Sequence, residues 1–199
     1  MIGTLAELEA FTRRLAREEP AFGTECVLSG PGLSDAEAAT LAQNLPMLPE
    51  SYLRCARQFR LLGVRIAGFS LSPMSSRGSL IEAFSRANSA DNPAQARLSE
   101  EGLMQVGVSD SERVVVACRG SQLPEGTVLS FHLFDADEPP ALLAPDFERF
   151  LLYAGNLLEI SLTLSGRKAM DEFEARLADL DASVEMVDGW WEIAEEFIY

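Results

Sequence analysis

The sequence predicts an α+β domain: a central, mainly antiparallel sheet flanked by helices, with an acidic helical C-terminal extension. Three observations lead there. Two β-type runs, Val114-Val-Val-Ala-Cys118 and Val128-Leu-Ser-Phe-His-Leu-Phe134, flank a Gly/Pro turn region, which is the pattern of a hairpin. Boxes of the form Ser/Thr-x-x-Glu at Thr4, Ser34 and Ser79 each open an apolar stripe at helical spacing. Between Asp171 and Glu196 stand ten acidic residues and one arginine, on segments that also keep helical spacing. The expected organisation is one domain over residues 1–160, with residues 161–199 as a helical extension packed on it because its aromatics need cover.

From the N-terminus, Thr4 and Glu7 cap a helix whose face is Leu5, Leu8, Phe11 and Leu15, bounded by Pro20. Glu25 to Leu28 reads as a short strand and Gly30-Pro-Gly32 as a turn. Ser34 and Glu37 cap the next helix, with Ala38, Leu41 and Leu45 inward. Pro49 suits the first turn of a third helix, where its missing N–H costs nothing. Tyr52, Cys55, Ala56 and Phe59 continue on one side, so Cys55 reads as a small core residue. Gly63 to Leu71 reads as a strand, although Ile66 and Phe69 break strict alternation. After the loop 72–78, Ser79 and Glu82 cap a helix through Leu80, Ala83, Phe84 and Ala87, and one or two helical turns follow over Ala94 to Glu101.

With Gly120 to Gly126 as the connection, the hairpin sets Cys118 near Val128, Val116 near Ser130 and Val114 near His132, to within about two residues. Opposed residues share a face. Val115, Ala117, Leu129, Phe131 and Leu133 collect on one face, which is the expected buried side. Val114, Val116, Cys118, Ser130, His132 and Phe134 collect on the other, expected to be half covered. Asp146 or Pro145 starts the next helix, with Phe147, Phe150 and Leu151 inward. Asn156 to Leu164 reads either as its continuation or as a strand with Ile160, Leu162 and Leu164 inward. Helices over Arg167 to Leu180 and Gly189 to Tyr199 close the chain.

The 199 residues are 47% apolar and include eleven Phe and two Trp, enough for a real core. The balance of 16 basic and 31 acidic residues, a formal charge of -15, repels nucleic acid and anionic membrane and attracts basic partners. Cys26, Cys55 and Cys118 form an odd, scattered set, which fits a reducing compartment such as the cytoplasm. No basic region precedes an apolar run at the N-terminus, and no stretch approaches the length of a membrane span, so neither a signal peptide nor a membrane is expected.

Enzymatic signatures are sparse. His132 is the only histidine, which excludes a multi-histidine metal site, and the cysteines lack zinc-ligand spacing. For a Cys–His pair, Cys118 and His132 lie roughly 13 Å apart along the hairpin, too far for proton transfer, and Cys26 or Cys55 could reach His132 only through tertiary packing. No phosphate-binding glycine motif is present, and the acidic loop Asp135-Ala-Asp-Glu138 lacks the full calcium-loop pattern. The expectation is a non-enzyme without metal or cofactor.

Leu48-Pro-Glu-Ser-Tyr52 resembles the helix opening of the SUKH superfamily, the immunity and cell-wall-assembly-regulator domains. Leu103-Met-Gln-Val-Gly-Val-Ser-Asp110 resembles that family's apolar-Gly-acid turn. Asp146-Phe-Glu-Arg-Phe-Leu151 resembles its closing helix. The resemblance covers Leu33 to Leu152. It departs at Arg60-Leu-Leu-Gly63, where the family usually has an Asn-Gly-rich turn, and the stretch after Ile160 lies outside it. What it implies is a non-catalytic bacterial immunity protein that neutralises a cognate toxin by occupying its surface, the partner being a basic toxin domain. A regulatory or scaffold protein in a larger assembly is the alternative, and a homo-oligomer stays open. Two interface candidates follow from charge and aromatics: an acidic edge of Asp110, Glu112, Asp135, Asp137 and Glu138 beside the hairpin, and the acidic tail with Trp190, Trp191 and Tyr199, of which Trp190 reads rather as core.

Overall fold

The structure, a computed structural model, describes residues 1–73, 78–89, 93–109, 112–132 and 139–199. Helix α1 (Leu5–Glu18) begins where expected: Thr4 accepts from the Glu7 N–H, and the Glu7 carboxylate reaches back to the Thr4 N–H at 3.0 Å. Equivalent boxes open α2 (Asp35–Asn44) at Ser34 and Glu37 and α4 (Leu80–Ala87) at Ser79 and Glu82. Pro49 stands one residue before α3 (Glu50–Gln58), whose inward side chains include Tyr52, Cys55 and Ala56. α5 (Pro93–Glu100) precedes the central strands; α6 (Phe147–Ser161), α7 (Gly166–Asp179) and α8 (Val184–Ile198) follow them.

Strands β1 (Arg65–Ile66), β2 (Phe69–Ser70), β3 (Leu103–Val108), β4 (Glu112–Ala117), β5 (Val128–His132) and β6 (Ala141–Ala144) form one antiparallel sheet in sequence order. The fold is therefore α+β, an antiparallel sheet with helices packed on it. The segment expected as one strand over Gly63 to Leu71 is a tight hairpin. Ala67 and Gly68 take φ of 48° and 80°, the pair of positive φ values that a two-residue turn of this twist requires. Ile66 opposes Phe69, which explains the broken alternation: both point to the same side. Glu25 to Leu28 is not a strand. Its backbone is used singly, with the Glu25 carbonyl accepting from Arg65 and the Leu28 N–H donating to the Thr12 hydroxyl.

The β4–β5 register lies two residues from the expected one, with Val116 opposite Val128, Val114 opposite Ser130 and Glu112 opposite His132. An even shift leaves the faces unchanged; Val115, Ala117 and Leu129 are buried as expected, and Val114, Val116, Cys118 and Ser130, expected half covered, are buried too. Val114, Val116 and Val128 enter the main core with the long helices, whereas Val115, Ala117 and Leu129 form a small cluster with Leu98 of α5. Both faces are apolar, so alternation alone did not say which one the long helices would take.

α6 continues to Ser161, leaving Leu162 and Leu164 exposed rather than inward. Its middle is buried all round because α1, α3, α7 and β6 pack about it. Buried Asn156 donates to the Ile2 and Leu152 carbonyls and accepts from the Ile2 N–H at 3.0 Å, tying the start of the chain to α6. Residues 161–199 add Met170, Phe173, Leu177, Trp190 and Ala194 to the same core cluster as α1 and α6.

Candidate functional site

The surface of interest is built on α8. Ser183 caps the helix by accepting from the Met186 N–H. Trp190, Ala194 and Ile198 recur at four-residue spacing and face the core. Trp190 is fully buried, with its ring 5.6 Å from Phe69, 5.9 Å from Phe150 and 5.7 Å from Phe173 between centroids. Its indole N–H donates to the Leu143 carbonyl at 2.7 Å. Leu143 is the extra residue where the β5–β6 register jumps from Val128–Ala144 to Leu129–Leu142. The indole thus satisfies a carbonyl at a bulge in an edge strand. Gly189 lets the helix come this close: a Cβ there would stand 2.2 Å from the Leu142 carbonyl oxygen.

Fixing that side fixes the opposite one. Glu185, Asp188, Trp191, Glu192, Glu195 and Tyr199 share the outward stripe, with Trp191 44% and Tyr199 76% exposed. Little positive charge offsets these acids. Arg176, the arginine of the acidic stretch, is turned inward, donating to Glu172 at 2.8 Å, to Asn156 at 3.2 Å and to Glu159. Burial opposes its charge, but its bonds to Glu172 and Glu159 outweigh that and raise its pKa. α8 itself carries no basic residue.

Of the other interface candidate, Asp110, Asp135, Asp137 and Glu138 lie outside the described residues. Glu112 opens β4, half-buried, and its neighbour across space comes from α8 rather than from the hairpin alone. Together with Glu196 it lines a depression of about 130 Å³ between the β1–β2 turn and the end of α8, with Gly68, Phe69, Ile193 and Phe197. Glu196, Phe197 and Gly68 carry no signal in the sequence that marks them as members of one site. No local pattern joins segments so far apart along the chain.

Burial works against thiolate formation at each nucleophile candidate. All three cysteines are buried and free. Burial pushes the Cys55 thiol up to about 12 and the Cys118 thiol up to about 11, against activation. Cys118 follows the end of β4, whereas His132 pairs with Glu112 at the opposite end of that hairpin. Among the described residues, no group of three or more His, Cys, Asp or Glu side chains is placed to hold a metal ion, and no helix is long and apolar enough to cross a membrane. No family model matches the sequence, no curated protein matches it, and no solved structure matches the fold.

Proposed function

We propose that this chain is a non-catalytic protein-binding domain of the immunity type, acting in the cytoplasm, which occupies a basic toxin domain through the outer stripe of α8. The observation that carries it is the exposed Trp191 standing among Asp188, Glu192 and Glu195 on a helix without basic residues. An aromatic ring is a rigid, low-entropy anchor, and fields of opposite sign speed encounter and select partners. A cationic side chain on the partner also gains from the indole face. The toxin part of the proposal comes from the SUKH resemblance of Leu33 to Leu152, and the charge agrees with it.

The test pairs capture with protection. The chain is used to retain proteins from its own cells at about 50 mM and about 300 mM salt, a range over which screening grows strongly. The retained basic protein is then expressed with and without the chain. The expected result is one basic protein, held at low salt, lost with the double variant Trp191→Ala and Glu195→Lys, and toxic unless the wild-type chain accompanies it. Capture that ignores the α8 substitutions, with no protection, would move the assignment to a regulatory or scaffold role.

A further inference from the structure

We propose that the notch between α7 and α8 receives an amphipathic, basic helix of the partner. This rests on the protein-binding reading above and names the element that the outer side of α8 would hold. Two contacts fix how the helices lie. The Trp190 and Phe173 rings are 5.7 Å apart between centroids, and a Cβ on Gly166 would stand 3.5 Å from the Tyr199 ring. The pair is therefore antiparallel, with Trp191 level with Glu174 and Val184 level with the end of α7. Arg176 points one flank of α7 at Glu159 of α6, so α8 lies along the other flank. Helical spacing then sets Glu174 and Ala178 on the α7 lip of the notch, and Val184, Trp191 and Glu195 on the α8 lip.

The strip along the notch is apolar and open: Val184 is 77% and Trp191 44% exposed, and Ala178 is exposed beside them. Glu174, Asp181, Asp188 and Glu195 border the strip, all exposed. None of these four forms an ion pair with a described residue. Arg176 is taken by Glu159 and Glu172, and Arg167 stands 3.7 Å from Asp171 toward the far end of the notch. Both lips thus offer free carboxylates. Their complement is an apolar stripe with lysines or arginines along both sides. Between the ends of α7 and α8 the main-chain groups are bound within each helix, so an extended segment would find no backbone partners there. A helix satisfies its own main chain and brings only side chains. A second copy of this chain, at -15, would set acid against acid. From Val184 to Glu195 the strip runs about 17 Å, roughly three turns of a partner helix. Asp181, Glu185 and Asp188 crowd one end, and Arg167 and Lys168 stand at the other. The partner helix therefore lies with its positive N-terminal end over Asp181 and Glu185.

The experiment titrates the full-length, 15N-labelled chain with three capped peptides, each a doubled repeat. The first repeats Leu-Lys-Lys-Leu-Leu-Lys-Leu, which gathers its leucines on one face of a helix. The second repeats Leu-Lys-Leu-Lys-Leu-Lys-Leu, the same composition at strand period. The third is the first with glutamate in place of lysine. The helical lysine peptide is expected to give saturable shifts at the Glu174, Ala178 and Val184 amides and at the Trp191 indole N–H, and to gain helical circular dichroism as it binds. The other two are expected to be at least about tenfold weaker. Ala178→Arg is expected to weaken the helical lysine peptide at least about tenfold. Ala39→Arg adds the same charge on the exposed side of α2 and is expected to change its affinity less than about twofold. Both substitutions are at exposed positions, and the circular dichroism of the free chain should stay unaltered. Equal affinity for the two lysine peptides would overturn the proposal, as would no binding at all. So would equal losses from the two arginine substitutions, or shifts that reach Trp191 without Glu174 and Ala178. The two readings fail separately. A basic protein that is held through Trp191 and Glu195 but ignores Ala178→Arg would sink the notch alone. Saturable peptide binding in the notch without any basic protein partner would sink the immunity reading and leave the notch.

Discussion

At the scale of single residues, the buried thiols set a pH limit on the fold. Burial disfavours the thiolate and pushes the Cys55 thiol from an ordinary 9.0 up to about 12 in the native chain. Between those values the native chain holds a proton that the unfolded chain has lost. Stability from this group is therefore complete below pH 9, and it falls as pH rises toward 12. Cys118 adds the same sign over a narrower window, ending near 11. Urea titrations at pH 8 and pH 10.5 are expected to show the midpoint falling, and falling less steeply in Cys55→Ala compared with its own value at pH 8. At pH 8 the native thiols should resist a reagent that modifies the denatured chain completely. The core role of Cys55 was legible in the sequence, since it shares helical spacing with Tyr52, Ala56 and Phe59. The bond from the Trp190 indole to the Leu143 carbonyl was not, because its partners are 47 residues apart.

At the scale of elements, the contact between α8 and β6 decides how the end of the chain is held. Gly189→Ala places a methyl group inside the van der Waals surface of the Leu142 carbonyl, so helix and strand must part; overpacking of this kind costs about 1–3 kcal/mol. Trp190→Phe keeps most of the ring and leaves the Leu143 carbonyl without its donor, for a loss of about 1–3 kcal/mol. Chemical denaturation checks both, and their double variant should lose less than the sum, because each disturbs the same contact. The helices were the most legible elements: Thr4, Ser34 and Ser79 announced three of them through side-chain capping alone. Strand β6 was missed, since Ala141 to Ala144 is too short and too plain to show alternation. The use of the hairpin faces was also hidden. Val114 and Val115 have the same side chain, and only the placement of distant helices assigns them to different clusters.

At the scale of the whole molecule, a formal charge of -15 acts on stability and on binding in opposite senses. Like charges repel in the compact state, and salt screens them over about 10 Å at 0.1 M. Raising sodium chloride from about 20 to about 300 mM is expected to raise the thermal midpoint of the free chain while it weakens capture of a basic partner. Calorimetry on the first and titration on the second would show the crossing; a midpoint that falls with salt would mean the acids are already compensated in the fold. The α+β class was readable from composition and periodicity. The depression beside α8 was not, because it gathers Gly68, Phe69, Ser109, Glu112, Glu196 and Phe197 from distant parts of the chain.

The Asn156 clasp on Ile2 also has a consequence in time. It spans 154 residues, so α1, which meets only the turn at Pro20–Phe22 and Leu28 nearby in sequence, lacks its α6 cover until that helix has been made. At a synthesis rate of about 5–20 residues per second, that wait is on the order of ten seconds. Through it the Leu5, Leu8, Phe11 and Leu15 stripe faces water, ready for a chaperone or for another nascent chain.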